Sequence, residues 1–218
     1  MRKKFIPVAV LFLMAGPCYG QQKKTVSLRP YLDRFALVPN DEKTQYMVEL
    51  LVAIPDTNHP KRLFSFKRGK LGHVFIGLSK SNGPRQVVEY LGFYARSPIP
   101  ALLLAFGTGA SGVSAIRDNR GHTFNARLDM KVNAKQFDSV LTCLLRNSEK
   151  KYSLFRYNCV NYSLDAFNSV RMSPLHPEGL VLTPNSLYLL LRRLKIGPEG
   201  GGVAMQYGQA SISGKYVP

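Results

Sequence analysis

Two hydrophobic periods divide this chain of 218 residues. From residue 46 to residue 93, apolar side chains recur at every second position or run continuously, as in half-buried and central strands. Residues 46–54 show mixed alternation rich in β-branched side chains. Residues 62–66 alternate charged and apolar positions and are predicted as a second strand. Residues 73–78 are apolar enough for a central strand. Asn82-Gly83 is a strong hairpin signal, and residues 86–93 are expected to return antiparallel beside it. In that return strand Val87, Glu89 and Leu91 share one face, and Val88 and Tyr90 share the other. Residues 113–116 and 122–130 are predicted as a further hairpin about Asp118-Asn119-Arg120-Gly121.

The period then changes to that of a helix. Over residues 133–150, Phe137, Val140, Leu141, Leu144 and Leu145 fall on one face, and Asn133 is a suitable N-cap. Residues 152–157 read as a short connector or strand. A helix is predicted over 159–170, with Val160, Leu164 and Phe167 as its buried stripe. Another covers 185–194, opened by Thr183-Pro184. Residues 21–42 are polar, contain Pro30 and Pro39, and read as an irregular lead-in. Ile99–Phe106 is apolar but too short to span a bilayer, and a Gly-rich stretch follows it. It reads as core packing, with a hydrophobic flap beside a site as the alternative.

The first 20 residues change the picture of where the chain acts. Arg2, Lys3 and Lys4 precede an apolar run from Phe5 to Ala15, then Gly16-Pro17-Cys18-Tyr19-Gly20. That is the layout of a secretory signal peptide, with cleavage expected between Gly20 and Gln21 and a secreted or periplasmic product. An uncleaved anchor is the competing reading. Residues 21–196 then form one domain, and residues 197–218 a Gly-rich tail. No internal repeat or second domain boundary is visible.

The formal net charge is +17, and only three of the 30 lysines and arginines lie in the leader. Such a surface favours anionic partners, whether a polymer or a membrane surface. The basic residues are scattered and no nucleic-acid motif accompanies them, so nucleic acid is not an expected partner. Cys143 and Cys159 remain after cleavage. Cys143 lies inside an apolar helical run, where a thiol behaves as a small hydrophobe. A Cys143–Cys159 disulfide is the alternative that would remove the thiol from chemistry.

Cys159 has a reason to be reactive. Asn158 before it is a preferred N-cap, which makes Cys159 the first helical residue. There the free backbone N–H groups and the helix dipole stabilise a thiolate, and the same groups can hold an oxyanion. The thiol is therefore expected to be largely ionised at neutral pH. A cysteine nucleophile also needs a base. His59 and His176 sit beside prolines in turns. His122 opens a strand after Gly121 and competes with His73, which heads the most apolar strand and is the expected base. Glu89, on the neighbouring strand, is the candidate to orient the His73 ring. The isolated histidines do not suit a zinc site, and no phosphate-cradling loop is present, so no cofactor or metal is expected.

At these residues the chain resembles the circularly permuted papain-like cysteine hydrolases, a group that includes NlpC-related peptidases, lecithin retinol acyltransferase-like proteins and PPPDE peptidases. The resemblance rests on His73 in Gly-His-Val-Phe-Ile-Gly-Leu, on Asn158-Cys159, and on the aromatic Tyr162 three residues on. It covers roughly residues 45–170. It implies an α+β fold, an antiparallel sheet packed against the helix that bears the nucleophile, and cleavage of an amide or related acyl bond. Val160-Asn161-Tyr162 stands where acyltransferase-like members carry a histidine before the aromatic, which weighs against acyl transfer to lipid. The expected substrate is a peptide or acyl compound of the cell wall. The alternatives are a non-catalytic secreted protein that binds anionic polymers through its basic surface, and an acyltransferase acting on lipid.

Overall fold

The computed structural model describes residues 27–62, 64–65, 70–96, 112–194 and 203–211. The expected signal peptide, Leu63, Phe66 and Ile99–Phe106 lie outside the described residues. The lead-in is more ordered than its prolines suggested. Helix α1 (Arg29–Asp33) begins with Pro30 in its first turn, where the missing N–H costs nothing, and runs into a 3-10 turn at Arg34–Leu37. Tyr31, Leu32, Phe35 and Val38 are buried and hold this segment to the core.

Strands β1 (Gln45–Ala53), β2 (Phe64–Ser65), β3 (Lys70–Leu71), β4 (His73–Asn82) and β5 (Arg85–Ala95) follow. The β4–β5 hairpin turns at Gly83, whose φ of 57° is the left-handed conformation that the Asn-Gly pair favours. Strands β6 (Ser114–Asp118), β7 (Thr123–Phe124) and β8 (Ala126–Val132) precede the helices α2 (Ala134–Ser148), α3 (Cys159–Asn168) and α4 (Pro184–Arg193). Each of these three helices opens on the side-chain cap expected for it, Asn133, Asn158 and Thr183. Strands β9 (Val203–Ala204) and β10 (Gly208–Gln209) lie in the segment expected to be a Gly-rich tail. β9 extends the sheet, and β10 pairs with β7.

The fold is α+β. Six strands form an antiparallel sheet in the order β6-β5-β4-β1-β8-β9. One expected pairing is absent. β6 and β8 are not a hairpin; β5, β4 and β1 lie between them. The Asp118–Gly121 turn instead starts a crossing over one sheet face. The Asn119 N–H donates to the Tyr90 carbonyl at 2.7 Å, and the Asn125 N–H donates to the Val52 carbonyl at 2.8 Å. Phe124 is buried against Leu51, Phe75 and Tyr90 on that face. Burying an aromatic there outweighs the local preference for a tight return.

Helices α2, α3 and α4 cover the opposite face, against Val74, Ile76, Leu78, Leu91 and Phe93. Phe93 is fully buried and its ring stacks on Tyr162 of α3 at 4.8 Å. Phe93→Ala should cost about 3–5 kcal/mol of unfolding free energy in urea titration. Leu180→Ala, at a fully exposed position, should stay within about 0.5 kcal/mol of the parent.

Candidate active site

Cys159 opens α3 as its sequence position requires. The Asn158 side-chain oxygen accepts from the Val160 N–H at 2.8 Å, and the Asn158 N–H donates to Asn161 Oδ1 at 3.0 Å. Both N–H bonds of the Asn158 amide are also used, to the carbonyls of Leu154 at 2.9 Å and Leu182 at 2.8 Å. One buried side chain therefore fixes the start of α3 against two loops, and with it the place of the thiol.

The thiol rests on the head of β4. Backbone N–H groups of Val74, Val160 and Cys159 itself favour the ionised sulfur, although the Val160 N–H is donated to Asn158 Oδ1. The Val74 amide is free for this because the β4–β5 ladder begins only at Phe75↔Gly92. The Val52 carbonyl is taken by Asn125, so Val52 turns away from its partner Val74, and the Val74 amide faces β5. Cys159 thus occupies the gap where β4 and β5 part. Cys159 and Cys143 are both free thiols, so the disulfide alternative is not formed.

His73 is the first residue of β4, next to Val74. Its ring lies toward the sheet face away from the helices, stacked on Tyr94 at 4.3 Å, with Phe75 at 6.0 Å and His122 at 6.5 Å. His73 Nε2 is buried and has no hydrogen-bond partner. Cys159 thus reaches the amide next in sequence to His73 from the helix side of the sheet, while the His73 ring lies on the other face, and no hydrogen bond joins the thiol to the ring.

Glu89 is not at this site. It pairs with Leu78, five residues along β4 from His73, and shares the helix-side face with Leu91. Its carboxylate accepts from Arg34 Nη1 at 2.8 Å. The face alternation read from the sequence already separates the two side chains, since His73 shares the face of Phe75. Glu89 cannot orient the imidazole.

The polar group beside His73 is Asn119, which is fully buried. Its amide exchanges hydrogen bonds with the Tyr94 hydroxyl at 2.9–3.1 Å and lies 3.4 Å from His122 Nδ1. Gly92 makes room for the group. A Cβ there would stand 2.6 Å from Asn119 Oδ1, 2.7 Å from His73 Nε2 and 2.8 Å from the Tyr94 ring. Neither residue was singled out from the sequence. A glycine inside an otherwise apolar strand was the available signal for Gly92. Asn119 was hidden in what reads as a plain turn.

The electrostatics run against the expected thiolate. Burial pushes the Cys159 thiol up to about 11, although the three N–H groups pull it down. Burial pulls the His73 ring down to about 3, with His122 and Arg117 adding to the effect. In the resting structure both groups are neutral at pH 7. Desolvation exceeds what the helix terminus returns.

A separate groove of about 340 Å³ opens further along the same sheet face, lined in part by Glu49, Tyr90, Phe124 and Arg127. Cys159, His73 and Glu89 do not line it. Among the described residues no cluster of side chains suits a metal ion. None of the described helices is long and apolar enough to cross a membrane. No known protein family, curated protein or solved structure matches the chain.

The shifted groups fix the sign of a pH dependence. His73 is neutral when folded and protonates below about 6.5 when unfolded, so stability falls as pH drops from there toward 3. The slope for one such proton is at most about 1.4 kcal/mol per pH unit. His73→Gln should flatten the acid limb of a plot of thermal midpoint against pH. An unchanged limb would show that the ring is solvated.

Proposed function

We propose that the protein is a permuted papain-like cysteine hydrolase that cleaves an amide bond, with Cys159 as nucleophile and His73 as base. The observation that carries this reading is the seat of the thiol. It sits at a capped helix N-terminus, by the amide that follows the candidate base, with backbone N–H groups that favour its ionised form. Cys159 Sγ would attack the substrate carbonyl and form a tetrahedral intermediate, while His73 takes the thiol proton. The N–H groups around the sulfur would stabilise the oxyanion. His73 would return the proton to the departing amine, leaving an acyl thioester for water to hydrolyse. Asn119, linked through Tyr94, would position the imidazole in the role first assigned to Glu89. The leader and the basic surface suit a secreted or periplasmic enzyme acting on cell-wall peptides.

A second reading is favoured by the neutral, unbonded state of the pair. It is a secreted protein of the same fold that binds anionic polymers without catalysis. Acyl transfer to lipid remains a third reading, with no observation at the site in its favour.

Turnover of cell-wall peptides by purified protein separates these readings. Cys159→Ala and His73→Ala should each lower the rate by about a thousandfold or more. Asn119→Ala should lower it while the protein stays folded. Glu89→Gln should cost stability through the lost Arg34 pair and leave turnover intact. Activity that survives Cys159→Ala would refute the nucleophile assignment, and no turnover by the parent protein would favour the binder.

A further inference from the structure

Arg117 lies on β6 opposite Gly92, on the sheet face that carries His73. Its guanidinium stands 5.0 Å from the centre of the Tyr94 ring, and the His73 ring stacks on the same tyrosine at 4.3 Å. Tyr94 feels the Cys159 thiol as well as Arg117. The guanidinium therefore acts electrostatically on His73, and shares with Cys159 its influence on Tyr94.

It is also underemployed. A guanidinium carries five N–H donors. Among the described residues only Nη2 finds hydrogen-bond partners, in long contacts to the carbonyls of Ala95 at 3.5 Å and Arg96 at 3.4 Å. Nε is buried without a partner. No carboxylate forms an ion pair with Arg117 among the described residues, and the nearby Asp118 is engaged by Arg120. A half-buried cation with unused donors and no counter-charge is costly unless something anionic arrives to meet it.

We propose that Arg117 is the anchor for a carboxylate of the substrate, so that the enzyme takes acyl compounds with a free carboxylate close to the bond it cleaves. The inference rests on the Cys159–His73 reading and adds the substrate class. The charge of Arg117 is one of the influences that depress the His73 ring. A carboxylate seated on the guanidinium offsets that influence, the smallest after burial and His122, and so shifts the imidazole upward when substrate is present.

Alkylation of intact folded protein at mildly alkaline pH tests this with two small probes. Iodoacetate carries a carboxylate, and iodoacetamide is its neutral counterpart. Peptide mass spectrometry reads each rate at Cys159, with Cys143 as internal reference. The ratio of the two rates cancels any general change in thiol reactivity. The ratio at Cys159 should exceed that at Cys143 by about tenfold, the scale of one charge-assisted pair. Arg117→Gln should abolish the excess and Arg117→Lys should keep part of it. Acetate should slow iodoacetate labelling at Cys159 in the parent protein, a measurement that needs no variant. An equal ratio at both cysteines, or an excess that survives Arg117→Gln, overturns the anchor while leaving the nucleophile in place. Folded protein in which Cys159 reacts with neither reagent overturns the nucleophile reading, and the anchor with it.

Discussion

The contact between the Cys159 thiol and the Val74 amide organises this end of the molecule. An unpaired backbone N–H is costly when buried, and the late start of the β4–β5 ladder leaves one at Val74. The thiol fills that vacancy only because α3 begins where it does. The start of α3 is fixed in turn by Asn158, which spends both amide hydrogens on the loops at Leu154 and Leu182. Ladder, cap and thiol thus form one constraint, and His73 inherits its position from it as the residue before Val74.

The other sheet face obeys a second constraint. The chain must pass from β6 at one edge to β8 beyond β1, and it does so across the face that carries Phe75 and Tyr90. The crossing delivers Asn119 to Tyr90 and His122 to Phe75, and so builds a polar cluster around Gly92. The helix face supplies the thiol and the crossing supplies the surroundings of the imidazole.

Local features were the legible ones. Asn82-Gly83, the caps Asn133, Asn158 and Thr183, and the apolar head of β4 each state their role within a few residues. The hairpin between β6 and β8 was misread because its turn residues suit a tight return equally well, and only long-range burial of Phe124 decides the matter. Glu89 failed for a reason already present in the alternation of β5, since Val87, Glu89 and Leu91 share the face opposite His73. The thiolate failed for a reason absent from the sequence. Helix-end stabilisation can be read from Asn158-Cys159, but the depth of burial that opposes it depends on the whole sheet.

The central claim is that this thiol is held by backbone donors yet remains protonated in the resting protein, and that the His73 imidazole is neutral there too. Carbon-13 NMR of protein labelled at the Cys159 β-carbon tests it most directly, with nitrogen-15 shifts of the His73 ring followed in the same samples. The account expects a thiol signal through neutral pH that moves only as pH approaches about 11, and a ring that stays neutral until pH falls toward 3. A thiolate signal near pH 7 accompanied by a protonated His73 ring would contradict it.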